Sequence, residues 1–272
     1  MPVIYEPKGK AREYSPLALN LYEGCDHNCF YCYVPNIKKA FNKNYNHEIV
    51  NCRKNVIENL RVEAPKLREK NQVLLSFTGD PYCQANTKYG LTRLALEILY
   101  QNNIQVAILT KGGKRATQDI EIIKKFDNSI KVGCTLTFDN DNHSLEYEPG
   151  AAPITERIEM LKYFYEHGIE TWVSMEPVLN HKQSLNCIEM SMPYTSHFKI
   201  GKLNHYPEIE KKIEWTQFLH DVVEIMRVNN KPFYIKHDLL KCNDDIVFEP
   251  HEIDQDYLNV KPFKVKELEL FA

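Results

Sequence analysis

The sequence predicts an α/β protein: a barrel-like parallel sheet of six βα units, closed by a further C-terminal strand and followed by a tail. Three observations lead there. From residue 17 onward, short β-type runs alternate with segments of helical period, the pattern of parallel strands joined by crossover helices. The chain has 272 residues, a length that α/β barrels occupy as one domain. No Pro/Gly/Ser-rich linker, repeat or low-complexity stretch divides it. One domain over 1–272 is therefore expected, with its core at about 15–236 and its tail at about 237–272.

The strands are expected where apolar, β-branched and aromatic residues crowd into short runs. These are 17–22, 73–77, 105–109, 131–137, Glu170–Met175, His197–Ile200 and Phe233–Ile235. The helices between them, where apolar residues recur at helical period, are expected at about 52–69, 88–102, 116–126, 154–167, 182–190 and 213–229. Thr117 and Thr155 are capping candidates and Gly168 is a stop signal. In such barrels function gathers on the loops at the C-terminal ends of the strands. Each candidate residue is weighed against that position.

Hydrophobic residues at 43% supply a core. No run approaches the roughly 20 apolar residues that span a bilayer, and the N-terminus lacks a signal-peptide stretch. A cytoplasmic protein with no membrane association is expected. The formal charge of −3 supplies no global field for nucleic acid, so any such contact rests on a local patch. Of eight cysteines, Cys25, Cys29 and Cys32 fall within eight residues, and clustering of that kind in a reducing compartment points to metal.

These three form C-x3-C-x2-C directly after the first expected strand, on the active face of the barrel. Three thiolates can hold three irons of a [4Fe–4S] cubane and leave the fourth open, since such clusters normally take four sulfur ligands. The alternative is a closed zinc site with His27 or a distant cysteine as fourth ligand. Zinc motifs usually pair two C-x2-C units, and no second unit is present.

Together with this motif, the stretches SPLALNLYEGCDHNCFYCYVP, SFTGDPY, ILTKGG, LEYEPGAAPITER, WVSMEPV and IGKLN make the chain resemble the radical S-adenosylmethionine (radical SAM) superfamily. Within it, the chain is similar to the spore photoproduct lyase-like group, also called DNA repair photolyase-like. The resemblance implies a partial (β/α)6 barrel of parallel strands. It also implies a [4Fe–4S] cluster on Cys25, Cys29 and Cys32, with S-adenosylmethionine chelating the open iron. An electron donor such as flavodoxin or ferredoxin would reduce the cluster. Cleavage of the cofactor would then yield methionine and a 5′-deoxyadenosyl radical that abstracts a substrate hydrogen.

On the same resemblance Gly79 and Asp80 stand where the superfamily's Gly-rich motif meets the cofactor's amino group, and Lys111 stands near its carboxylate. Gly-Asp-Pro is equally good turn chemistry, and Lys111, Lys114 and Arg115 equally a solvated loop. Thr135 and Thr137 alternate along one strand and so share a face, where their hydroxyls can meet the ribose or simply suit a strand. Glu148 and Arg157 match a group pattern for a cofactor-orienting pair, or form a loop-to-helix salt bridge. Glu176 ends the fifth strand on the catalytic face.

Tyr31 and Tyr33 match tyrosines linked to radical transfer in spore photoproduct lyase, and aromatic residues there also shield a cluster. Phe77 stands where that lyase carries a hydrogen-donating thiol, so Cys83 is the candidate substitute donor. Cys52, Cys134, Cys187 and Cys242 are expected as small core or surface residues. The loop 201–205, with Lys236 and His237, is expected to ring the barrel mouth. The implied substrate is a nucleobase, nucleotide or nucleic acid. The alternatives are a peptide or small metabolite, or a non-enzymatic iron–sulfur or zinc sensor.

Overall fold

A computed structural model describes residues 2–67, 71–75, 77–254, 258 and 260–264. Its strands are β1 (Ile4–Tyr5), β2 (Leu17–Leu19), β3 (Tyr22–Glu23), β4 (Asn51–Cys52), β5 (Val73–Leu75), β6 (Val106–Thr110), β7 (Ile130–Thr135), β8 (Glu170–Met175), β9 (His197–Ile200) and β10 (Phe233–Ile235). Eight of them make one sheet in the order β1-β2-β5-β6-β7-β8-β9-β10. All pairs from β2 to β10 are parallel, and only β1 runs antiparallel, on the edge. This is the expected partial barrel, with seven parallel strands and no pairing of the last strand onto the first.

Register explains why the site lies where it does. The row Val73, Val106 and Ile130 and the row Cys134, Val173, Phe198 and Phe233 pair strand to strand and face the helices in the main apolar core. The alternate residues point into the barrel, because side chains flip face at every residue. Low in the barrel this inner face is apolar: Leu74, Ala107 and Trp172 pack together. The row above pairs Thr135, Ser174, Lys199 and Tyr234, so the interior turns polar toward the C-terminal ends of the strands. Trp172 fills the middle, donating to the Ile108 carbonyl at 3.0 Å.

The helices are α1 (Val34–Phe41), α2 (Val56–Glu63), α3 (Gln84–Tyr89), α4 (Leu91–Gln101), α5 (Ile120–Lys125), α6 (Asp141–Tyr147), α7 (Ile154–Glu166), α8 (His181–Ser191), α9 (Pro207–Glu210), α10 (Trp215–Val228), α11 (His237–Leu240) and α12 (Pro250–Ile253). The single helix expected at 88–102 breaks at Gly90, whose φ is 61°. The expected helix 52–69 is shorter, ending in the turn Ala64–Lys66, and residues 68 and 69 lie outside the described residues. Neither threonine caps. Thr117 sits inside the 3-10 turn Gly113–Asp119. At α7, Thr155 instead donates its amide and hydroxyl to the Asp141 carboxylate, at 3.0 and 2.7 Å. Gly168 does end α7.

Besides the short β1, α6, α9, α11 and α12, two segments next to the cysteine motif were not expected. α1 follows the third cysteine, and the β3–β4 ribbon shortens the first strand from 17–22 to Leu17–Leu19. The tail is more than an appendage, since Leu258 and Val260 are buried against Trp172, Leu74 and Ala107 and plug the foot of the barrel. Residues 265–272 lie outside the described residues, and among those described no helix is long and apolar enough to cross a membrane.

Candidate active site

A cavity of about 410 Å³ opens at the C-terminal ends of the strands, within the size range of small-molecule sites. Cys25, Cys29 and Cys32 line one side of it, and all three are free thiols. Their loop is tied down by main-chain bonds: Cys25 N–H to the His47 carbonyl at 2.7 Å, Phe30 N–H to Tyr147 at 2.9 Å, and Gly150 N–H to the His27 carbonyl at 3.0 Å. Two glycines permit the approach. A Cβ at Gly150 would fall 1.8 Å from the Asp26 carbonyl oxygen, and one at Gly24 2.2 Å from that of Ile49. Neither backbone can yield cheaply, so Gly150→Ala should displace the cysteine loop. The expected result is a chain with unchanged far-UV dichroism that retains far less iron after anaerobic reconstitution, and full iron loading would count against it.

The donor set suits a cluster better than a single zinc. One tetrahedral zinc with Zn–S near 2.3 Å needs sulfurs about 3.8 Å apart. Among the described residues, the three thiols are not a group whose ligand atoms all lie within 4.8 Å of one another. A cubane spreads its cysteines over three irons and takes a wider triad. His27 does not supply a fourth ligand either. Its Nε2 faces Arg115 Nη2 at 3.0 Å and its Nδ1 faces Asp80 Oδ2 at 3.5 Å. A guanidinium can only donate, so Nε2 accepts and the ring proton sits on Nδ1, toward Asp80. Burial pushes His27 down to about 4, which keeps the ring neutral. Burial also pushes the thiols up, Cys29 to about 12, so metal binding must drive off their protons.

Asp80 joins three elements. Its Oδ1 accepts from Tyr82 N–H at 2.8 Å and Thr110 Oγ1 at 2.6 Å, and its Oδ2 from Lys111 N–H at 2.8 Å. Behind the cavity lies a buried pair. Arg157 donates to Glu148 at 2.5 Å, with both side chains fully buried. Arg157 also donates to the carbonyls of Ala152 and Thr135 and to Ser144 Oγ. Burial pushes the Glu148 carboxyl up, and Arg157 holds it back. The other Glu148 oxygen takes the Tyr31 hydroxyl and lies 3.9 Å from Lys111 Nζ. The pair thus aims Tyr31 and Lys111, which do line the cavity.

The opposite wall carries a second network. Tyr14 donates to Glu176 at 2.7 Å and contacts Ser174 Oγ at 2.8 Å, and Lys236 pairs with the same Glu176 carboxylate. Burial, then Glu176, pushes the Tyr14 phenol well up, so it keeps its proton. Glu13 bridges the open side of the barrel, accepting from the Tyr234 hydroxyl at 2.9 Å and His237 N–H at 2.8 Å.

Residues 19–192 match the family model of the radical SAM superfamily, which is more than half of the chain. This chain belongs to that superfamily. It is accordingly a radical SAM enzyme that uses a [4Fe–4S] cluster and S-adenosylmethionine. An uncharacterized protein of Methanocaldococcus jannaschii is 26% identical over 228 residues, 77% of this chain and 85% of its own length. An uncharacterized protein of Acidianus two-tailed virus is 25% identical over 59% of this chain and 55% of its own. Among solved structures, a spore photoproduct lyase variant superposes with TM-score 0.65 at 10% identity, covering 86% of this chain and 80% of that one. SuiB of Streptococcus suis bound to its precursor peptide superposes with TM-score 0.62 at 17% identity, covering 85% of this chain and 52% of that one. At these identities the likeness is one of fold.

Within this radical SAM fold, Gly79, Asp80, Lys111, Thr135, Tyr31, Tyr33 and Glu176 line the cavity together with the three cysteines. So do Lys202, Leu203, Asn204, His205 and Lys236, as expected of the mouth, whereas His237 turns its amide to Glu13. Of the expected cofactor-binding and catalytic residues, four are not in the lining, and neither are Gly201 and His237 of the expected mouth. Glu148 and Arg157 act from behind it. Thr137 is fully buried, with its hydroxyl 3.4 Å from that of Tyr31. Cys83 lies in the main core, buried and pushed up to about 12, with no face on the cavity. The structure places Cys83 outside the cavity lining. Glu13, Tyr14 and Lys199, whose Nζ donates to the Glu13 carbonyl at 2.8 Å, escaped sequence reading because their partners are remote in the chain, and His47 escaped it because it stands outside the cysteine motif.

Proposed function

We propose that Cys25, Cys29 and Cys32 hold the three protein-ligated irons of the cluster, and that the cavity beside them takes a nucleotide or nucleic-acid substrate. One observation carries the substrate reading. The lining holds the lysines Lys8, Lys10, Lys111, Lys202 and Lys236 beside Asp80 and Glu176; Lys10 pairs with Asp238, Lys111 with Glu148, Lys202 with Glu210 and Lys236 with Glu13 and Glu176, so the mouth offers ammonium groups that a phosphate would take over from these carboxylates. Lysine clusters of this kind attract phosphates. Phe77 adds an apolar ring to the lining, edge-on to Tyr14 with centroids 6.0 Å apart, and a flipped-out base can stack on such a face.

When bound, the reduced cluster and S-adenosylmethionine supply hydrogen-atom abstraction from a C–H bond. The chain's own groups position and enclose. Asp80 braces the loops after β5 and β6, the Glu148–Arg157 pair holds Tyr31 and Lys111 to the cavity, and Tyr14 and Lys236 present a hydroxyl and an ammonium across from the thiols. In this reading the protein is cytoplasmic and takes its electron from a flavodoxin or ferredoxin.

The test is anaerobic incubation of reconstituted protein with S-adenosylmethionine, dithionite and deuterated oligonucleotides, nucleosides or peptides, reading deuterium in 5′-deoxyadenosine. Transfer from oligonucleotides is expected. Lys8→Ala and Lys202→Ala should weaken oligonucleotide binding across sequences and flatten its log–log salt dependence by about 0.7 per lost contact. Transfer from peptides alone would sink the proposal. A spore-photoproduct dinucleotide should be converted poorly, since Phe77 provides no donor thiol.

A further inference from the structure

His47 lies on the segment joining α1 to β4 and is buried, and it meets the cysteine loop twice. Its carbonyl accepts the Cys25 amide at 2.7 Å. Its ring Nε2 lies 3.6 Å from Cys32 Sγ, and its Nδ1 lies 2.9 Å from the Tyr45 hydroxyl.

Only one ring nitrogen of a neutral imidazole carries a proton, so two arrangements compete. In one, Nδ1–H donates to the Tyr45 oxygen and the Nε2 lone pair faces Cys32. That arrangement suits a protonated thiol. A metal-bound cysteine has no proton, and a lone pair aimed at its anionic sulfur is repelled. In the other, Tyr45 donates to Nδ1, and Nε2–H points at the sulfur. Metal ligation of Cys32 therefore selects the second tautomer.

We propose that the relay of Tyr45 O–H and His47 Nε2–H ends in a hydrogen bond to the Cys32 sulfur, and that this bond raises the reduction potential of the cluster. The inference rests on the assignment of Cys32 as an iron ligand. Reduction adds negative charge that spreads onto the cysteine sulfurs, and a donor aimed at one of them stabilises the reduced state more than the oxidised. Hydrogen bonds to sulfur are among the levers that set such potentials. His47 is thus a positioning and tuning residue that acts through the Cys32 sulfur.

The experiment is an EPR-monitored redox titration of the anaerobically reconstituted protein, its His47→Phe, His47→Gln and Tyr45→Phe variants, with iron counted in each. His47→Phe keeps a planar ring but has no donor. Its reduced-to-oxidised ratio at a fixed poise should fall about tenfold, equal to about 59 mV more negative for one electron. His47→Gln retains an N–H and should recover most of the shift, and Tyr45→Phe should move part of the way. Reduced wild type exchanged into D2O should show an electron–nuclear coupling to a deuteron that His47→Phe lacks.

Equal potentials at full iron loading would overturn the proposal, as would a Gln variant displaced as far as Phe, or direct nitrogen coupling from a ligating imidazole. If His47→Phe fails to load iron, the Tyr45→Phe potential and the wild-type deuteron coupling decide. Wild type that binds no cluster would instead refute the cysteine assignment.

Discussion

Replacing any one of Cys25, Cys29 and Cys32 by Ala should leave a folded chain that holds no cluster, where the parent takes up about four irons. Each thiolate ligates its own iron in this reading, so two cannot span the work of three. The fold should survive because the cysteine loop sits on the cavity rim, whereas the apolar core is built from the sheet and its helices. Iron and sulfide per chain after anaerobic reconstitution, with urea unfolding of the metal-free proteins, test both halves. A parent that binds one zinc and no iron would remove the basis of the proposed site.

The second large effect is on stability. Glu148→Ala should strip the fully buried Arg157 of its counter-ion and leave the Tyr31 hydroxyl only the Thr137 hydroxyl at 3.4 Å. Breaking a buried pair from one side costs roughly 3–5 kcal/mol, a large part of the 5–15 kcal/mol that holds a typical domain. In a chain of this size that is about 10 °C of melting temperature. The double variant Glu148→Leu with Arg157→Met should regain much of the loss, since no charge then stays buried alone. Thermal unfolding of the metal-free proteins reads this directly. A Glu148→Ala variant that melts with the parent would show that the pair bears no such load.

The double variant has a second use. If its stability returns while S-adenosylmethionine binding stays weak, the pair matters for aiming Lys111 and Tyr31 as well as for the fold. Isothermal titration of the cofactor onto reconstituted protein separates the two contributions.

The alternation of strands and helices, the C-x3-C-x2-C loop after the first strand and the basic residues after β9 and β10 were legible in the sequence. Each is a local signal. A strand or helix writes its period over a handful of neighbouring residues, and a metal motif needs only short spacing on one loop. That Glu176 would stand at the mouth followed as well, from its place at the end of a strand in a parallel barrel.

Only the tertiary structure decided which face of a short loop points where. Cys83 is three residues beyond Asp80, yet the turn into α3 sends it to the core while Asp80 borders the cavity. Glu148 and Arg157 were legible as a pair, but not as one buried behind the wall. The tail read only as a segment following the core, whereas Leu258 and Val260 fill the barrel's foot beneath Trp172. Glu13 meets Tyr234 across 221 residues, and His47 meets Cys32 across a helix and a turn. Such contacts leave no period in the chain. They arise when the rolled sheet brings distant segments together, and the cost of leaving a polar group buried and unpaired then selects its partners.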